Sequence, residues 1–150
     1  MTDFTEPTTR ALRALVDLVI PPSREYGIPG AGDEAIFAEI LEAASSARGF
    51  VEAAMTALDE QAAAHGNADF AELDADARET VATRFRESHD RFCRMVSGLV
   101  AQCYYRDPRV MSSLGMAPRP PFPEGYDLAR DDDWSSLDPV RARGPIYRPV

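Results

Sequence analysis

A pair of closely spaced glycines is the first feature that suggests chemistry. Gly30-x-Gly32 follows the apolar run VDLVI, as the phosphate-binding loop of a nucleotide enzyme follows a strand. However, Ala35 stands where a dinucleotide-binding loop has its third glycine, and the chain contains no lysine for a P-loop. The apolar residues before the loop recur at helical spacing, and Pro21-Pro22 intervenes. We therefore interpret the segment as a joint between two helices, whose glycines permit the turns that lead to Asp33.

A histidine and a cysteine form the second candidate. His89 and Cys93 are spaced i, i+4 and share a helix face, as two metal ligands or a Cys-His nucleophile pair would. The other histidine, His65, has no companion at ligand spacing, and the sequence has no Glu-x-x-His pair for a di-iron bundle. A nucleophilic thiol would need to be exposed, with a lowered pKa, and nothing in the sequence indicates this. We predict a core cysteine beside a surface or hydrogen-bonded histidine, and no catalytic, cofactor-binding or metal-binding residue in this chain.

The densest cluster of tyrosine and arginine is QCYYRDPRVMSSLG, residues 102–115. Both residue types are favoured at interface hot spots, and a helix that ends at a proline presents them compactly. We predict that this cluster binds a partner protein through Tyr104, Tyr105, Arg106 and Arg109. The alternative is that one tyrosine belongs to the core and the other to the surface.

Helical periodicity predicts the elements that position these residues. The expected first residues or caps of the helices are Thr8 or Thr9, Asp33, Arg48 and Asp74. At RESHD, residues 86–90, the pattern allows either one long helix or two. The first helix is predicted to face the core with Leu12, Leu15, Val16, Val19 and Ile20, and Phe70 and Leu73 are predicted to plug into the core. We predict an all-α fold, a bundle of about five helices in residues 1–116.

The last part of the chain, residues 117–150, differs in composition. It holds seven of the twelve prolines, which exclude regular helix, and yet it is rich in large apolar side chains. We predict a long, irregular, Pro-rich arm that packs on its own domain or on a partner. The residues predicted to bind the partner are Phe122, Tyr126, Trp134 and Tyr147.

Charge and composition restrict the kinds of partner that the chain can bind. The net charge of −9 disfavours nucleic acid and anionic lipid as partners, and no apolar run is long enough for a membrane helix. Residues 25–77 hold twelve acids and one base, whereas residues 78–119 hold eight arginines and four acids. The two stretches either face each other within the fold or form a docking face for an acidic partner. Cys93 and Cys103 lie about 15 Å apart on one helix, which excludes a disulfide between them.

Three stretches resemble the gluconate 2-dehydrogenase subunit 3 family. LRALVDLVIPPSREYGIPGAG is similar to the opening of that family, where a helix ends at Ile-Pro or Ile-Pro-Pro and leads into a Pro-Gly-Ala turn. FAELDADAR resembles its Phe-x-x-Leu connection and the helix that follows. VAQCYYRDPRVMSSLGMAPRPPFPEG resembles its late helix, its Leu-Gly motif and its proline-rich exit. From the first to the last, the stretches span most of residues 9–125.

The resemblance implies an accessory subunit without a cofactor of its own. Such a subunit binds and stabilises a large FAD-dependent oxidoreductase of the glucose-methanol-choline type that acts on sugars or polyols. Members often carry a twin-arginine leader, which the N-terminus of this sequence lacks. We therefore expect a soluble protein, cytoplasmic as written or periplasmic if a leader was removed. Two alternatives stay open: a self-contained small helical enzyme or metal-binding protein, and a homo-oligomeric structural protein whose arms swap between copies.

Overall fold

A computed structural model describes residues 4–66, 69–119, 122, 125 and 134–144, and the described residues are mostly α-helical. In chain order the α-helices are α1 (Glu6–Val19), α2 (Glu34–Ala44), α3 (Arg48–Ala64), α4 (Ala75–Ser88), α5 (Asp90–Tyr104), α6 (Pro108–Ser113) and α7 (Asp138–Ala142). Short 3-10 helices lie at Ser45–Ala47, Phe70–Glu72 and Trp134–Leu137. The prediction of an all-α fold is confirmed, because none of the described residues belongs to a β-strand.

Polar side chains cap several of these helices. Asp33 and Asp74 accept hydrogen bonds from backbone N–H groups in the first turns of α2 and α4, as predicted. The predicted cap of α1 was wrong, since Thr5 rather than Thr8 or Thr9 precedes the helix and accepts from a first-turn N–H. The helix begins earlier because Pro7 fits its first turn, where a backbone N–H has no intrahelical partner.

The core lies where the apolar faces of α1 to α5 meet. Helix α1 packs on α3 and α5, α2 on α5, and α4 on both α3 and α5. Four phenylalanines, Phe37, Phe70, Phe85 and Phe92, are among the largest fully buried side chains. The predicted insertion of Phe70 and Leu73 into the core is confirmed. Val19 was predicted to be buried, but it is 39% exposed because it ends α1 at the edge of the bundle.

His89 separates α4 from α5. Its φ of −128° and ψ of 38° are not helical, so RESHD contains the end of one helix and the start of the next. The imidazole stacks on Phe85 with ring centroids 4.4 Å apart. Two helices therefore meet with a single residue between them.

The acidic and the basic stretch of the sequence pack on each other. The acidic helices α2 and α3 contact α5 and α4, respectively, which carry most of the arginines of the basic stretch. Among the ion pairs of the described residues, one joins the two stretches, between Arg109 and Asp33. The stretches therefore face each other, but most of their charged side chains point to solvent.

The chain divides into two compact units, residues 1–118 and 119–150. The first unit contains α1 to α6. In the second, the 3-10 helix Trp134–Leu137 leads into α7, and the guanidinium of Arg119 donates to the carbonyl oxygen of Gly125 at 2.7 Å. The prediction that residues 117–150 exclude regular helix was wrong for α7, because Pro139 lies in its first turn, where proline is tolerated.

Candidate partner-binding site

The loop between α1 and α2, residues 20–33, meets the junction between α5 and α6, residues 104–110. We call this region the linked end. Its first link is Tyr104, whose ring is 3% exposed and whose hydroxyl donates to the carbonyl oxygen of Pro29 at 3.0 Å. Burial raises the pKa of the Tyr104 hydroxyl, which keeps its proton in place for this bond. A core residue near the end of α5 thereby fixes the loop.

The second link is Arg109, which joins the caps of two helices. Its guanidinium donates to both carboxylate oxygens of Asp33, at 2.6 and 3.2 Å, and to both of Asp107, at 2.9 and 3.0 Å. Asp33 caps α2 and Asp107 caps α6. Hydrogen bonds from Arg109 lower the pKa of both carboxyl groups, and the two carboxylates raise the pKa of Arg109. All three groups are therefore charged at neutral pH and hold the two helix starts together.

The third link is a hydrogen bond between the loop and Asp17, and it explains why two closely spaced glycines stand in the loop. The backbone N–H of Gly32 donates to Oδ1 of Asp17 on α1 at 2.8 Å. A Cβ at Gly32 would lie 2.5 Å from the Asp17 carboxyl, and one at Gly30 would lie 2.7 Å from the backbone nitrogen of Pro22. The loop therefore wraps around a carboxylate of the chain itself, and the interpretation of this segment as a joint is confirmed.

The three loop glycines serve different purposes. Gly27 has a φ of +62°, which suits a turn, as predicted. Gly30 and Gly32 lie in a turn that the N–H of Asp33 closes on the carbonyl oxygen of Gly30 at 3.1 Å, as predicted. Neither has a positive φ, so glycine is needed there for close approach rather than for an unusual backbone angle. Asp17 was not predicted to contact the loop, although an acid one turn before the proline stop was the available signal.

Exposed apolar side chains lie on and beside the linked end. Tyr105 is 56% exposed, and Leu114 and Met116, which follow α6, are also exposed. Tyr26 in the α1–α2 loop is exposed as well. The alternative for the two tyrosines is thus confirmed: Tyr104 belongs to the core and Tyr105 to the surface. Leu114, Met116 and Tyr26 were not among the residues predicted to bind a partner.

The other residues predicted to bind a partner are distributed over both units. Arg106 is exposed one residue after Tyr105, and Phe122 of the second unit is 85% exposed. Trp134 is the first residue of a 3-10 helix. Tyr126 and Tyr147 lie outside the described residues. A partner-binding role for these side chains stays a prediction.

The cysteines and the histidine that were considered for catalysis or metal binding lie in the core or between two helices. Cys93 is partly buried and Cys103 buried, both as free thiols, and burial raises the pKa of each. His89 stacks on Phe85 and lies 2.9 Å from the hydroxyl of Ser88 through Nδ1. A raised thiol pKa is the opposite of what a nucleophilic cysteine needs. Within the described ranges, no three side chains of His, Cys, Asp or Glu come together as a metal ion would require.

Comparison with known proteins gives one match. The family model described as Gluconate 2-dehydrogenase subunit 3 matches residues 6–119, from the start of α1 to beyond α6. No curated protein and no solved structure matches the chain. In the part of the chain that the structure describes, no helix has both the length and the apolar character of a membrane span.

Proposed function

Because the chain belongs to the gluconate 2-dehydrogenase subunit 3 family, we propose that it is a non-catalytic small subunit of a sugar or polyol dehydrogenase. Its partner is a large FAD-dependent oxidoreductase of the glucose-methanol-choline type, which carries the flavin and the active site. The small subunit binds this partner and stabilises it. The single observation that carries the proposal is a family match that spans nearly the whole first unit.

The linked end supports the proposal because it presents a rigid surface. Tyr104 and Arg109 fix the base of this surface through buried and charge-assisted hydrogen bonds. Tyr105, Leu114 and Met116 then offer large apolar side chains around it. Residues held in place before binding lose little conformational entropy on binding, which favours a specific contact.

The chemistry of the described residues also supports a non-catalytic role. The two thiols have raised pKa values, and the carboxylates of Asp33 and Asp107 are engaged by Arg109. Asp17 is engaged by the glycine loop. These carboxylates belong to a residue type that often serves in catalysis, but in this chain they hold helices and loops together.

A purification from native extract tests the proposal. The full chain, carrying an affinity tag, is expected to retain a large protein with the absorbance spectrum of bound flavin, which mass spectrometry then identifies. Leu114→Asp should reduce the retained flavin at least about tenfold, since a charge in a contact of this kind is desolvated without a partner. Glu60→Gln, at an exposed position on α3, is the control and should retain as much flavin as the wild type. A wild-type chain that retains no flavoprotein would contradict the proposal.

A deletion tests the arm separately. Removal of residues 119–150 leaves the first unit, whose helices should keep their circular dichroism signal. We expect the truncated chain to lose the flavoprotein, because the apolar side chains of the arm bind it. Retention of the flavoprotein after the deletion would exclude the arm from the interface and leave the linked end as the contact.

A further inference from the structure

The chain leaves α6 through a corner that presents two apolar side chains to solvent. Leu114 is 57% exposed and Met116 is 48% exposed, and Gly115 stands between them. We call residues 114–116 the α6 corner. Both apolar side chains belong to the proposed contact with the dehydrogenase, so whatever holds them in position also sets the geometry of that contact.

A left-handed residue makes the corner. Gly115 has a φ of +74°, whereas Leu114 before it has a φ of −86° and a ψ of 4°. The N–H of Gly115 donates to the carbonyl oxygen of Ser112 at 3.0 Å, and the N–H of Met116 donates to that of Met111 at 3.0 Å. In this pattern, the Schellman motif, a helix closes on its own last carbonyl groups. The chain therefore reverses at Gly115, and the backbone of Met116 lies beside the last turn of α6.

Helix α6 connects the corner to the core. Val110 is 1% exposed, and Asp107 caps the first turn and forms an ion pair with Arg109. The hydroxyl of Ser113 donates to the carbonyl oxygen of Val110 at 2.7 Å. The corner is thus attached through a six-residue helix with hydrogen bonds at both ends. Its position depends on these bonds and not on burial of its own side chains.

The corner needs glycine for its backbone angle and not for space. A Cβ at Gly115 would meet nothing within 4 Å. A Cβ makes the left-handed conformation unfavourable, and Asn and Asp tolerate it best. A right-handed residue would let the helix continue, and Met116 would then lie about 200° around the axis from Leu114. The conformation of one residue therefore decides where the two apolar side chains stand.

We infer that Gly115 is a positioning residue for the binding of the large dehydrogenase subunit, an inference that rests on the proposed function. Gly115 itself offers no side chain to the partner. It holds Leu114 and Met116 in the arrangement that an apolar part of the partner's surface receives. Because the corner is formed before binding, little conformational entropy is lost when the two side chains are covered.

Two matched substitutions test the inference. Gly115→Ala disturbs the corner, and Gly66→Ala makes the same change after α3, where φ is +117° and a Cβ likewise meets nothing within 4 Å. The affinity of each full-length variant is measured for the purified flavoprotein, obtained with the tagged wild-type chain. We expect Gly115→Ala to weaken binding about tenfold and Gly66→Ala to leave it within about twofold. Urea denaturation of both variants compares their losses of stability.

Asparagine at the same position separates backbone conformation from side-chain size. Gly115→Asn introduces a larger side chain than Gly115→Ala does, but asparagine adopts the left-handed conformation more readily. Its affinity for the flavoprotein should stay within about threefold of wild type. If Gly115→Asn weakened binding as much as Gly115→Ala, the backbone angle would not be the cause and the inference would be overturned.

A double-mutant cycle tests whether Gly115 acts through its two neighbours. The variant Leu114→Ala with Met116→Ala removes both apolar side chains. In that background Gly115→Ala should weaken binding by less than about twofold more, because the corner has nothing left to position. A further tenfold loss would overturn the inference, since Gly115 would then serve binding in another way.

The remaining outcomes separate this inference from the proposed function. If Gly115→Ala binds the flavoprotein as well as wild type does, the inference is overturned and the proposed function stands. The same holds if Gly66→Ala weakens binding equally, because the loss would then follow from stability alone. If wild type retains no flavoprotein at all, both proposals are overturned.

Discussion

The linked end differs from an open groove between α1 and α4, which Leu15, Leu18, Val19 and Cys93 help to line, in how the side chains are used. Polar side chains cross the linked end, where Tyr104 reaches Pro29 and Arg109 reaches Asp33. No hydrogen bond crosses the groove from α1 to α4 among the described residues. The glycine pair and the Tyr-Arg cluster, which stood out in the sequence, fix one end of the fold. The groove is lined by Leu15, which was predicted to face the core, by Leu18, which was not singled out, and by Cys93.

The largest effect on stability is expected at the glycine loop. Gly30→Ala places a Cβ 2.7 Å from both Cδ and the backbone nitrogen of Pro22, so the loop backbone has to move. We expect a loss of about 2–3 kcal/mol in the free energy of unfolding, as for other over-packed sites. Urea denaturation followed by circular dichroism measures it.

Gly98 provides the control for that substitution. It lies inside α5, is exposed, and a Cβ there meets nothing within 4 Å. Gly98→Ala should therefore raise the free energy of unfolding by about 0.5–1 kcal/mol, because alanine favours the helix. Equal stabilities of the two variants would contradict the view that the linked end is tightly packed.

A smaller loss is expected when one hydrogen bond of the linked end is removed. Tyr104→Phe keeps the buried ring but leaves the carbonyl oxygen of Pro29 without its donor. We expect a loss of about 1–2 kcal/mol. The same change at the exposed Tyr105 should stay within about 0.5 kcal/mol, measured by the same urea titration. If Tyr104→Phe left the free energy of unfolding unchanged, water would replace the hydroxyl at no cost.

The ion pairs of Arg109 with Asp33 and Asp107 should contribute less to the free energy of unfolding, and their contribution should depend on pH. Arg109→Met is expected to cost about 1 kcal/mol or less at neutral pH, because half of the Arg109 side chain is exposed to solvent. Arg109 lowers the folded-state pKa of Asp33 and Asp107 below the unfolded values. The stabilisation is therefore fully present above the unfolded pKa, near 4, and is lost as the pH falls through the folded values.

Unfolding of wild type and Arg109→Met at several pH values measures this dependence. The difference between the two proteins should be constant from about pH 7 to 5 and should shrink below about pH 4. A difference that grows on acidification would have the wrong sign for two carboxylates stabilised by a cation.

The smallest effect on stability is expected in the groove. Glu79→Gln and Arg86→Gln remove charges that have no partner among the described residues, so the free energy of unfolding should change by less than about 0.5 kcal/mol. Thermal unfolding of the isolated chain tests this. A loss above about 1 kcal/mol for either variant would show that these charges stabilise the fold.

The sequence predicted the helices well because their signals are local. Apolar periodicity, the caps at Asp33 and Asp74, and the proline stop after α1 each act within a few residues. The break at His89 could not be decided from the sequence, because residues 86–90 contain neither proline nor glycine.

The candidate site was predictable only in part. The cluster at residues 104–109 stood out by its composition, and the helical spacing of Val96, Val100 and Tyr104 was a local signal that Tyr104 is buried. The hydrogen bond of Tyr104 to Pro29, 75 residues earlier in the chain, had no signal in the sequence. In the same way, the partner of the glycine loop is Asp17 on a neighbouring helix, and the groove exists only once α1 and α4 have both packed on α5.

The Arg109–Asp33 and Tyr104–Pro29 contacts have a consequence for the order of folding. They join residues 76 and 75 positions apart, so the entropy of closing a very long loop opposes them until the intervening helices have packed. The linked end is thus completed late, after α3 and α4 have brought the two halves of the chain together. A partner that recognised this end would bind only those chains that have finished folding.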